Sequence, residues 1–118
     1  MVLDLLDLDY DWSNAFAVAC DAGGITVDPT KDIEEVIASV EGENEGADWQ
    51  CVVRFKDGRF AWLSASCDYT GWDCGRSGKI LFAPSLERLL DPMFSELWLR
   101  DELVTALNEK GIGVKNPR

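Results

Sequence analysis

Histidine is absent from the chain. Its absence removes the commonest general base near neutral pH, the usual partner of a nucleophilic Ser or Cys, and a principal zinc ligand. Any catalysis must therefore rest on carboxylates or a lone thiol. Runs of 18 apolar residues are also missing, which excludes a membrane-spanning helix. The opening Met1-Val2-Leu3-Asp4-Leu5-Leu6-Asp7 carries acids where a secretory leader needs bases. The expected location is cytoplasmic, with no membrane association.

Base is nearly absent from the first fifty residues, where Lys31 stands alone against 13 acids, whereas residues 51–118 balance nine acids with ten bases. The formal net charge of −11 thus comes wholly from the first half. A surface so charged repels nucleic-acid phosphates and releases no counterions on meeting them, so direct nucleic-acid binding is not expected.

Apolar material is plentiful: 47% of the 118 residues are hydrophobic, among them five Trp and five Phe. That is enough to build one core without external staples, so residues 1–118 are expected to form a single acidic domain. The four cysteines, Cys20, Cys51, Cys67 and Cys74, are accordingly expected to be reduced. Six residues separate Cys67 from Cys74, a spacing unlike that of zinc ligand pairs. Neither metal nor cofactor is expected.

Leu and Asp alternate through the first ten residues, as in a short edge strand or a docked arm. Asp11 then suits the N-cap of a helix with Trp12, Ala15, Phe16, Ala19 and Cys20 on one face, stopped by Gly23-Gly24. Asp28-Pro29 suggests a short helical turn running towards Ile33. The period beyond it is ambiguous. Ile33, Val36, Ile37 and Val40 fit a helix, while the β-branched run favours a strand from about Val36 to Glu43. Asp57-Gly58, between alternating β-formers from Trp49 to Ala65, predicts a hairpin closed by a two-residue type I′ turn.

Glycines mark Cys67 to Gly78 as a polar loop, and Lys79–Ala83 returns as a strand. Ser85 is placed to cap a short helix through Leu86, Leu89 and Leu90 that Pro92 ends. A last helix, about Ser95 to Lys110, puts Leu97, Trp98, Leu103, Val104 and Leu107 on one face and stops at Gly111. The expected architecture is α+β: an antiparallel meander of three or four strands, with the N- and C-terminal helices packed on one face.

Trp49, Asp57-Gly58-Arg59 and Cys67-Asp68-Tyr69-Thr70-Gly71-Trp72-Asp73-Cys74 together resemble an uncharacterised family of small bacterial and phage proteins that carry such a signature. The resemblance covers about residues 36–90. It implies a shared fold and a mobile-element or phage origin, and it brings no assigned activity.

The acidic half has three readings. It can keep a small protein soluble; it can complement a basic protein surface, such as a nucleic-acid groove; or it can hold calcium, although the EF-hand pattern does not occur. The functional expectation is a protein-binding module or inhibitor, phage-borne and directed at a basic, nucleic-acid-handling partner such as a defence nuclease. The partner-binding residues expected are Asp32, Glu34, Glu35, Glu41, Glu43, Glu45 and Asp48, with Asp68, Tyr69, Trp72 and Asp73 as a recognition loop. Those last four can equally fold back on the sheet and cap turns. The alternatives are a small carboxylate- or thiol-based enzyme or metal-dependent domain centred on Cys67, Asp68, Asp73 and Cys74, and a structural or assembly protein with a solubilising acidic face.

Overall fold

The computed structural model describes residues 10–24, 31–43, 46–68, 71–91 and 99–112, and the backbone alone for 10, 11, 13, 68 and 71–75. The expected Leu–Asp arm, the turn at Pro29, Glu45, Tyr69, Leu97 and Trp98 lie outside the described residues. Helix α1 (Tyr10–Ala22) is followed by β1 (Ile33–Val40), β2 (Trp49–Phe55), β3 (Phe60–Asp68), β4 (Gly71–Ala83), α2 (Leu86–Leu89) and α3 (Asp101–Glu109). The strands form one sheet in the order β1-β2-β3-β4, every pair antiparallel. The α+β class and the meander are therefore as the sequence implies.

The helices, expected together on one face, divide between two. Strand side chains alternate, so Trp49, Cys51, Val53 and Phe55 of β2 share a face with Ala61, Leu63, Ala65 and Cys67 of β3. On that face they bury Trp12, Ala15, Phe16, Ala19 and Cys20 of α1. On the opposite face Val52 and Trp62 pack with Leu89 and Leu90 and with Leu99, Leu103 and Leu107 at and along α3. Cover on both sides is needed because β2 and β3 are apolar on both sides. Val52 is fully buried and Trp62 only 2% exposed, and stripping a large aromatic of such surroundings typically costs about 3–5 kcal/mol.

Strand β1 explains its own ambiguity. It pairs Ile33 with Phe55 and Glu35 with Arg54, then Val36 with Val53 and Ala38 with Val52, with register shifts that leave Glu34 and Ile37 as extra residues. Two bulges stretch the strand period of two, so Ile33, Val36, Ile37 and Val40 fall at helix-like intervals within an extended chain. Ile33, which the sequence allots to a helical turn, is thereby the first residue of β1, and the strand ends at Val40 rather than Glu43.

The β2–β3 hairpin forms where expected, with a longer loop. Gly58 N–H donates to the Phe55 carbonyl (3.0 Å) and Phe55 N–H to the Arg59 carbonyl (2.8 Å). The turn is thus centred on Lys56-Asp57, and Gly58 follows it at φ +94°, the three-residue arrangement that ends in a glycine bulge. Asp57 accepts from the Arg59 backbone N–H at 3.0 Å and from Arg59 Nε at 2.8 Å. The guanidinium lies over Phe82, 4.7 Å from the ring centroid, and 5.6 Å from that of Phe55.

The expected polar loop from Cys67 to Gly78 is mostly strand. Ala65 pairs with Gly78, Cys67 with Arg76 and Asp68 with Gly71, so the connection shrinks to the tip. Gly78 is present for close approach rather than for looping: a Cβ there would stand 2.8 Å from Ala19 Cα. Helix α1 begins at Tyr10, one residue before its expected cap, so Asp11 lies in the first turn. Ser85 caps α2 as expected, its Oγ accepting from Arg88 N–H at 3.2 Å, and α3 closes with Ile112 N–H donating back to the Leu107 carbonyl and Gly111 at φ +81°.

Candidate functional site

Among the described residues, Asp32, Glu34, Glu35, Glu41, Glu43 and Asp48 lie on or beside the edge strand β1, in two groups, whereas Asp11 and Asp21 belong to α1. At the hairpin end, Glu34 and Glu35 project from β1 and share Arg54, at 3.7 and 3.2 Å, with all three side chains around half exposed. Asp32 sits just before them, its carbonyl accepting from Lys56 N–H. At the other end, beyond roughly 25 Å of strand, the β1–β2 connection carries exposed Glu41 and Glu43. Neither carboxylate has an ion-pair or hydrogen-bond partner among the described residues. The expected continuous face is thus an acidic border with a partly neutralised end and an open one.

The open end is built tightly. Glu43 N–H donates to the Ala47 carbonyl at 2.9 Å and Gly46 N–H to the Glu43 carbonyl at 3.1 Å. A Cβ on Gly42 would stand 2.4 Å from the Ala47 carbonyl oxygen and 2.6 Å from Trp49. Only glycine permits the two limbs to approach so closely.

Asp48, predicted as a partner contact, is engaged inward. Its Oδ2 accepts from Ser64 Oγ at 2.9 Å, and Ser64 Oγ in turn accepts from Gln50 Nε2 at 3.4 Å. Gln50 and Ser64 are paired residues of β2 and β3, and both are buried. Gln50 Oε1 takes the backbone N–H of Arg100 at 2.9 Å, so the polar chain crosses from the sheet to the start of α3.

Arg100 completes it. One nitrogen, Nη1, donates to the Glu41 carbonyl at 2.7 Å and to the Asp48 carbonyl at 2.6 Å, while Nη2 meets Glu102 Oε2 at 2.6 Å. The Arg100 side chain is only 12% exposed against 64% for Glu102. The Glu102 carboxyl is held below its usual range, first by its own backbone N–H and then by Arg100. Asp101 and Glu102, from the charge-balanced half, thereby join the acidic border, because α3 packs beside β1. Charge counted along the chain could not reveal them. Nor could it reveal Arg100, 59 positions from Glu41.

The backbone of Asp68, Trp72 and Asp73 lies at the β3–β4 tip, at the same end of the sheet as the β1–β2 connection but on the far strands; Tyr69 is outside the described residues. Cys67 is buried beneath α1 rather than displayed. Cys20, Cys51 and Cys67 are free thiols, and burial, with Cys20 nearby, drives the Cys51 thiol far above its ordinary range. Among the described residues no group of three His, Cys, Asp or Glu is placed to hold a metal ion, and no helix is long and apolar enough to cross a membrane. Comparison with models of protein families, with curated proteins and with solved structures found no match.

Proposed function

We propose that the protein is a small binding module, of inhibitor type, whose acidic border engages a basic surface of another protein. The observation that carries this reading is the pair Glu41 and Glu43, exposed and without a counter-ion among the described residues, on a connection whose two limbs approach closely at Gly42 and are both bonded by Arg100. Carboxylates held together repel one another modestly in screened water, and Lys or Arg from a partner relieves that cost. Limbs already tied to each other lose less freedom on binding, which favours affinity. The partner class is a nucleic-acid-handling protein, whose phosphate-binding groove has the opposite charge; a phage-borne inhibitor of a defence nuclease is the specific form proposed. Burial of Cys67 favours binding over thiol chemistry, since a thiol that a substrate cannot reach is a poor nucleophile.

Retrieval from host lysate on immobilised protein, at low and moderate salt, tests the proposal. A basic partner should be captured at low salt and released as salt rises. With that partner purified, Glu41→Lys, Glu43→Lys and Glu45→Lys together should slow association by about tenfold or more while leaving the melting temperature nearly unchanged. Unaltered association would refute the reading.

A further inference from the structure

We propose that Arg100 is a positioning residue, a clasp that joins the β1–β2 connection to α3 and so fixes the orientation of the acidic border. Glu41 and Asp48 stand at the two limbs of that connection, and their carbonyls converge on one guanidinium nitrogen at 2.7 and 2.6 Å. Two carbonyl oxygens brought to one point repel unless a cation lies between them, so the closed neck depends on the charge as well as on the bonds. The arginine is itself immobilised from three directions. Gln50 holds its backbone N–H, Glu102 holds Nη2, and the side chain is only 12% exposed. A lysine ammonium in the same place would be a single point and could not serve both limbs and Glu102 with a fork of fixed geometry. The functional consequence rests on the acidic-border reading: an open neck would let Glu41 and Glu43 wander and would raise the cost of ordering them against a partner.

The test is hydrogen exchange on the full chain, comparing Arg100→Met and Arg100→Lys with the parent. The amides of Glu43 and Gly46, bonded within the connection, should exchange about tenfold faster in Arg100→Met, with Arg100→Lys between the two, while Val53 and Leu63 in the central strands keep their protection. Unchanged exchange at Glu43 and Gly46 in Arg100→Met overturns the clasp. If Arg100→Met does not fold, Arg100→Lys decides alone: a faster connection with intact central strands supports the clasp, and parent-like exchange overturns it. A second arm measures association of an arginine-rich octapeptide with the parent and with Arg100→Lys, which keeps the charge. Faster exchange with weaker peptide association supports clasp and border together. Faster exchange with unaltered association upholds the clasp and removes the border as the binding surface.

Discussion

Gly78 of β4 lies directly beneath Ala19 of α1, so close that a β-carbon on the glycine would come within 2.8 Å of Ala19 Cα and 2.9 Å of Ala19 N. The neighbours it would meet are backbone atoms, which cannot rotate aside as a side-chain tip does. Helix α1 would have to lift from the sheet, taking Trp12 and Phe16 with it. Gly78→Ala is expected to destabilise the protein by about 1–3 kcal/mol, read as a lowered urea midpoint. An unchanged midpoint would mean that α1 does not sit where described.

Gly58 provides the contrasting case. Its φ of +94° is a conformation that L side chains rarely adopt, yet no atom lies within 4 Å of a β-carbon placed there. Only the backbone penalty remains, and Gly58→Ala should cost about 1 kcal/mol. Gly58→Val should cost at least as much. Melting temperatures measured beside those of Gly78→Ala separate strain from crowding.

Lowered carboxyl pKa values give a signed pH dependence. Glu102 is ionised more readily in the fold than its ordinary value of 4.5 allows, owing to its own backbone N–H and then Arg100. A depressed folded value stabilises above the unfolded pKa, and the contribution disappears as pH falls through the folded one. Asp57, held down mainly by the Arg59 backbone N–H, acts in the same direction. The difference in urea midpoint between the parent and Glu102→Gln should therefore be largest near neutral pH and shrink as pH falls below 4.5. A difference that grows on acidification would contradict the assignment.

Cys20, Cys51 and Cys67 should resist alkylation in the native state and react once the chain is unfolded. All three are buried, and the Cys51 thiolate is opposed by desolvation first and by Cys20 second. Intact-mass measurement after brief iodoacetamide treatment, with and without urea, reads this directly. Rapid native modification at these three positions would be incompatible with their placement.

Where a local rule acts alone, the residues spoke clearly. The hairpin followed from Asp57-Gly58, and the cap of α2 from Ser85. Where tertiary demands share the same residue types, the reading slipped. The glycines before Lys79 suggested a loop, yet Gly78 serves helix packing, and the bulges at Glu34 and Ile37 gave a strand the intervals of a helix. The expectation of helices on one face gave no weight to the apolar residues on both sides of β2 and β3, which demand two covers. For the candidate site, residue type foretold that Glu34, Glu35, Glu41 and Glu43 would be exposed. It could not foretell that Asp48 turns inward to Ser64, or that Arg100 reaches across 59 positions to the Glu41 carbonyl. Such contacts are set by the fold, and no short-range pattern encodes them.

The doubled irregularity of β1 has a consequence for life in a crowded solution. A regular border strand presents an unbroken ladder of donors and acceptors on which a neighbouring chain can polymerise, strand upon strand. Here the ladder is interrupted at Glu34 and again at Ile37, and the first interruption is flanked by two carboxylates that a like-charged copy would have to approach. Whatever the border binds, it is a poor template for another molecule of itself.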